Sequence, residues 1–202
     1  MILQKSLSNF FKVNKINVTE GYTQLNQSQC NEIKKILCDT SPKTIMEIGF
    51  NAGHSAELFL ENSNAYVHSF DLGEHFHQYL KYGKQYINKN YPDRHTLILG
   101  DSTIRVPIFA QNNDIKFDLI FIDGGHSYEV AYADLMNCRK LANKNTIIIM
   151  DDIIQNNTSF IDYWTVGPSR AWNELIQNNL LVETYSFEWL KGRGMCVGKY
   201  IF

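Results

Sequence analysis

KTIMEIGFNAGHS, residues 43–55, decides the architecture: an apolar run ends in a glycine-bearing turn and passes at once into helical spacing. Lys43–Gly49 reads as a strand, Gly49 and Gly53 stand four apart, and Ala56, Phe59 and Leu60 then recur with a helical period. The alternation continues downstream. Ala65–Asp71, His95–Gly100, Phe117–Asp123 and Asn145–Asp151 are four further short apolar runs. Phe76, Tyr79, Leu80, Tyr86 and Ile87 follow the second at helical spacing, and Ala131, Leu135, Cys138, Leu141 and Ala142 follow the fourth. Nearly continuous apolar strands separated by helices predict a parallel sheet covered on both faces.

On the N-terminal side, Leu25–Leu37 places Cys30, Ile33, Ile36 and Leu37 on one face, a packing helix closed by Ser41-Pro42. On the C-terminal side, Ser169–Gln177 reads as a helix. Leu180–Phe187 and Met195–Ile201 read as two last strands joined by Glu188–Gly194, short enough for an antiparallel hairpin. The expected fold class is α/β: a Rossmann-like doubly wound seven-stranded sheet, mostly parallel, with a C-terminal antiparallel hairpin.

The chain has 202 residues, the size of one domain. Nineteen basic against 21 acidic residues give a net charge of −2, so no global basic field collects nucleic acid. No apolar run approaches the roughly 20 residues of a membrane span, and MILQKSLSNFFKVNK is too broken by polar residues for a signal peptide. The four cysteines form no CxxC and read as reduced thiols. A cytoplasmic protein is expected.

The turn after the first strand lets a ligand approach bare backbone and the following helix N-terminus. It lacks the GxGxxG spacing of dinucleotide enzymes, since Asn51 stands between Gly49 and Gly53. Glu47 precedes the first glycine, Asp71 ends the second strand, and Asp101 ends the third within Leu99-Gly100-Asp101-Ser102. A carboxylate at the second strand's end is placed to accept from ribose hydroxyls. Asp71 or Asp101 alone could equally cap the helix that follows.

Together with Phe121-Ile122-Asp123, these features resemble a class I S-adenosylmethionine-dependent methyltransferase over about residues 20–200. Residues 121–129 (FIDGGHSYE), with Asp134-Leu135 after them and Glu20-Gly21-Tyr22 far ahead, are similar to a small-molecule O-methyltransferase branch. The resemblance implies that Glu47, Gly49 and Asn51 line the methionine portion of the cofactor, Asp71 binds the ribose, Asp101 with Ser102 flanks the adenine, and Gly53 belongs to the same cofactor-binding set. It divides the chain into an N-terminal arm and packing helix (1–40) and a methyltransferase domain (41–202).

Asp123 and the pair Asp151-Asp152 end two successive predicted strands. Were these neighbours, their ends would lie about 4.8 Å apart, and unpaired carboxylates so close would raise one another's pKa. A hard divalent cation resolves the conflict. The arrangement is similar to metal-dependent O-methyltransferases of catechols and sugars, and its Asp-Asp form sits nearer the sugar and antibiotic-tailoring group. That implies Mg²⁺ or Mn²⁺ on Asp123, Asp151 and Asp152. The alternative is that one aspartate caps a turn and the other faces water. His126 is the candidate general base, or else a cap or a support for Asp123.

Asn156–Trp172 concentrates Phe160, Tyr163, Trp164, Arg170 and Trp172 beyond the last parallel strand. Tyr163, Trp164 and Arg170 are expected at a small hydroxylated substrate, although packing or a subunit interface would use the same aromatics. Phe10, Phe11, Val13 and Ile16 could form another wall, or an arm that docks a homodimer. A nicotinamide-dependent oxidoreductase is disfavoured by the failed glycine spacing and the lack of a Tyr-x-x-x-Lys pair. A cofactor-binding module without catalysis stays open, and no Asn/Asp-Pro-Pro-Tyr motif supports nucleic-acid methylation.

Overall fold

The computed structural model describes residues 6–19, 26–74, 77–154 and 162–202. In chain order these form α1 (Leu7–Val13), α2 (Gln27–Thr40), β1 (Thr44–Ile48), α3 (His54–Asn62), β2 (Tyr66–Asp71), α4 (His77–Asn90) and β3 (His95–Leu99). There follow α5 (Ser102–Asn112), β4 (Leu119–Ile122), α6 (Tyr128–Arg139), β5 (Ile147–Ile154), α7 (Val166–Gln177), β6 (Leu181–Leu190) and β7 (Arg193–Tyr200). Glu20-Gly21-Tyr22, Leu25, Phe76 and Phe160 lie outside the described residues.

The seven strands make one sheet in the order β3-β2-β1-β4-β5-β7-β6. β1 to β5 run parallel, and β7 joins β5 and β6 antiparallel. Alternate residues of each strand bury against opposite layers. Ile45, Val67, Leu119, Phe121 and Ile149 share a core with residues of α1 to α4. Met46, Ile48, Ile120, Ile122 and Met150 share the other with α5 to α7. The α2 face foreseen from spacing, Cys30, Ile33, Ile36 and Leu37, is buried as a unit in the first core.

Three departures from the sequence reading bear on the site. β5 continues through Asp151 and Asp152 to Ile154, because β7 pairs with it past a register shift between Met150 and Ile153. β6 and β7 extend toward each other until only Lys191 and Gly192 separate them, so Trp189 and Arg193 are strand residues rather than turn residues. The N-terminal aromatics cover their own core: Phe11 packs on His54 and Tyr79, and Phe10 on Tyr82 and Tyr86. The Leu7 N–H donates to the buried Glu57 carboxylate at 2.7 Å, fastening α1 to α3.

All four cysteines are free, and three of them are buried. Among the described residues no helix is long and apolar enough to cross a membrane.

Candidate active site

The turn between β1 and α3 is shaped by close approach. Gly49 has φ +99°, and a Cβ there would stand 1.9 Å from the Asp123 carbonyl oxygen, so the cofactor turn and the end of β4 touch through bare backbone. Asn51 and Gly53 also take positive φ, at 45° and 88°. From below, Gly83 of α4 admits the Ala52 carbonyl, which a Cβ would meet at 2.1 Å. Asp71 braces the turn: Oδ2 accepts from the Phe50 and Asn51 N–H groups at 3.0 and 2.7 Å, and Oδ1 from Gly73 N–H at 2.8 Å.

Glu47 is placed differently from the expectation. Strand alternation turns it into the protein, where it is fully buried. The Ser55 hydroxyl donates to Oε1 at 2.5 Å and the Ser69 hydroxyl donates to Oε2. Burial outweighs these bonds and pushes its pKa up to about 8. Glu47 thus ties the first turn of α3 to β2, and it does not reach the turn's open side. Asp101 caps α5, accepting from the Thr103 N–H at 2.9 Å and hydroxyl at 2.7 Å. Ser102 opens the same helix, and behind it burial lifts the carboxyl of Asp134 to about 7. Leu72 and Leu99, exposed by 44% and 42%, lie in the span between Asp71 and Asp101. Bare backbone at Gly49, a carboxylate at the end of β2 and two exposed leucines fit an adenosine with a methionine-like tail. Sequence reasoning missed the leucines, which look like ordinary strand residues.

β4 and β5 are neighbours, and their ends bring Asp123, His126 and Asp152 together, each offering a ligand atom within 4.8 Å of the others. His126 Nε2 lies 3.1 Å from Asp152 Oδ2 and 4.0 Å from Asp123 Oδ1. Gly167 of α7 seats this loop, since a Cβ there would meet the His126 carbonyl at 2.2 Å. Asp151 does not join the group. The irregularity in β5, with Asp152 at φ +57°, sends the two side chains apart. Asp151 instead accepts from Gln29 Nε2 at 2.5 Å and Trp189 Nε1 at 3.2 Å. The expected ligand trio of aspartates is therefore corrected to two aspartates and a histidine.

The electrostatics follow from these contacts. Burial and the charges of Asp123 and Asp152 raise the Asp151 pKa well above the carboxylate range. Burial also raises Asp123. Burial works to raise Asp152 too, but His126 and Arg193 prevail and hold it below its ordinary value. The two carboxylates facing its ring, Asp123 and Asp152, lift His126 to about 10. The same two carboxylates favour the protonated ring, the form in which it supports Asp123 and Asp152.

The proposed substrate residues divide. Trp164 stands beside the cluster, its ring 5.6 Å from the Arg193 guanidinium, and Tyr163 packs on it edge-on. Tyr163 is 83% exposed. Arg170 stacks on the Tyr128 ring at 4.0 Å, and the Tyr128 hydroxyl donates to Glu174, so this arginine clasps α7 to α6. Trp172 is core and donates to Glu183. Gln29, Trp189 and Arg193, which touch Asp151 and Asp152 from outside the cluster, were not foreseen from the sequence. The one available signal was Arg193 between two glycines at a hairpin tip.

Two aspartates and an imidazole suit a divalent ion that accepts both nitrogen and oxygen, Mn²⁺ better than Mg²⁺. The donor set therefore fits a metal, which Asp123, His126 and Asp152 would hold.

Residues 46–153, from within β1 into β5, match the family model described as a methyltransferase domain. The chain belongs to that family, and its class is that of S-adenosylmethionine-dependent methyltransferases. No curated protein sequence matches it. Among solved structures, an O-methyltransferase from Bacillus cereus in complex with SAH superposes with a TM-score of 0.71 at 19% identity, covering 98% of this chain and 93% of that one. TomG from Streptomyces achromogenes, an O-methyltransferase involved in tomaymycin synthesis and bound to SAM, gives 0.70 at 13%, covering 99% and 92%. SAH-bound PaMTH1 from Podospora anserina, a methyltransferase, gives 0.72 at 17%, covering 98% and 88%. These likenesses are of fold.

Proposed function

We propose that this protein transfers a methyl group from S-adenosylmethionine to a hydroxyl of a small molecule, with a sugar or a tailored metabolite favoured, and that a divalent cation assists. The observation that carries this reading is the contact of Gly49 with the Asp123 carbonyl, which sets the cofactor turn directly against the Asp123–His126–Asp152 cluster. The cofactor, when bound, supplies an electrophilic methyl carbon; the ion, when bound, supplies a positive charge that acidifies a hydroxyl.

Everything else is positioning by the chain, which dominates an in-line displacement at carbon. Asp71 fixes the turn, and Glu47 fixes the helix behind it. Asp123, His126 and Asp152 hold the ion, with Asp151 kept outside by Gln29 and Trp189. The hydroxyl's proton leaves to water on the open side of the cluster, where the His126 and Asp123 side chains are partly exposed. Trp164 and Tyr163 flank the acceptor. The working compartment is the reducing cytoplasm, where the free cysteines stay thiols.

Calorimetric titration of S-adenosylhomocysteine, with Mn²⁺ and then with EDTA, tests the cofactor. Binding in both buffers is expected, and binding in neither, or binding of NAD instead, overturns the reading. Catechols and hydroxylated sugars are then assayed with and without the ion. Full turnover in excess EDTA removes the metal from the mechanism.

A further inference from the structure

We propose that Arg193 is the resident cation of the carboxylate cluster: with no divalent ion bound its guanidinium neutralises Asp152, and an arriving ion must displace it. The inference rests on the metal reading above and adds a competitor for one of its ligands.

The contacts are specific. Arg193 is the first residue of β7, pairs with Ile154 beyond the irregularity of β5, and sets Nε 2.5 Å from Asp152 Oδ1. The other oxygen of Asp152 faces His126 Nε2 at 3.1 Å, so both oxygens of this buried carboxylate are engaged. An ion held by Asp123, His126 and Asp152 takes the oxygen that faces His126, which puts it on the same carboxylate as the guanidinium. A divalent ion and a guanidinium on one buried carboxylate also repel each other strongly. Arg193 is the partner able to leave: it sits beside the two-residue hairpin turn, and its guanidinium already lies over the rings of Trp189 at 4.6 Å and Trp164 at 5.6 Å. Aromatic faces hold a cation without needing the carboxylate. Trp189 meanwhile donates to Asp151, so movement of Arg193 changes the surroundings of both tryptophans, while Trp172 stays in the core.

A ligand that must first displace an internal competitor binds with its affinity reduced by the blocked fraction. Mn²⁺ is therefore titrated calorimetrically into the wild-type chain and Arg193→Met, with S-adenosylhomocysteine binding measured in each. Arg193→Met is expected to bind Mn²⁺ about tenfold more tightly or better, with S-adenosylhomocysteine affinity retained. Equal or weaker Mn²⁺ binding overturns the proposal and makes Arg193 a support. No Mn²⁺ binding in either protein overturns it together with the metal reading, while retained S-adenosylhomocysteine binding leaves the methyltransferase reading standing. Fluorescence of the wild-type chain gives a second test should the variant not fold: Mn²⁺ is expected to shift tryptophan emission, and the shift should shrink in Trp189→Phe. An unchanged wild-type emission at saturating Mn²⁺ overturns the proposal.

Discussion

His126 and Asp152 meet across the ends of β4 and β5, Nε2 to Oδ2 at 3.1 Å, a half-exposed ring on a buried carboxylate. Asp123 stands 4.0 Å from the same nitrogen. The two carboxylates lift the ring to about 10. In EDTA, the His126 proton should therefore persist well past pH 8, followed through its ring resonances by NMR. Asp152→Asn should lower the midpoint, and Asp123→Asn with Asp152→Asn should return it toward the ordinary 6.5. A wild-type midpoint near that ordinary value would show the pair does not form in solution.

Much of the fold was legible because its signals are local. Five apolar runs and the α2 face follow directly from periodicity, and β4 and β5 are neighbours as expected. α5 was not read: it carries Pro107 in its interior and buries only Val106, so it lacks an apolar stripe. The site was half legible. Residue type and position place acids at strand ends, but a side chain's direction depends on non-local pairing. Asp151 and Asp152 are adjacent in sequence and point apart because β7 bends β5 between them. Arg193 reaches the cluster only because the hairpin is longer than its polar sequence suggests.

Glu47 makes stability fall with rising pH. Its folded pKa, about 8, stands above the ordinary 4.5, so the folded state holds a proton that the unfolded chain has released. Between those values stability falls with pH, by at most about 1.4 kcal/mol per unit. Glu47→Gln keeps a neutral side chain of the same shape for Ser55 and Ser69. Denaturant titrations at pH 5 and pH 8 should show a smaller loss in Glu47→Gln than in the wild type. An identical loss would place the titration elsewhere.

Gly49→Ala tests the contact between the cofactor turn and β4. The new Cβ has no space against the Asp123 carbonyl, and φ +99° strains any side chain. Stability should drop by about 3 kcal/mol or more, and S-adenosylhomocysteine binding should be lost even where the protein stays folded. Urea unfolding and calorimetry read the two effects separately. A variant that binds normally would mean the turn and the end of β4 move independently.

Asp71→Asn separates the two tasks assigned to this side chain. As a brace, the carboxylate accepts three backbone N–H groups of Phe50, Asn51 and Gly73. Charged acceptors make hydrogen bonds roughly twice as strong as neutral ones, and an amide can turn its oxygen to only one of the two bonding directions. Stability should therefore fall by about 1–3 kcal/mol. As a ribose ligand, the carboxylate would also contribute directly to cofactor affinity, and a loss of about tenfold or more in S-adenosylhomocysteine binding is expected. The two tasks come apart by comparing the nucleoside with the amino acid end of the ligand. Adenosine should lose as much affinity as the whole molecule if ribose recognition is the cause. If adenosine is unaffected while S-adenosylhomocysteine weakens, Asp71 acts only through the turn it braces.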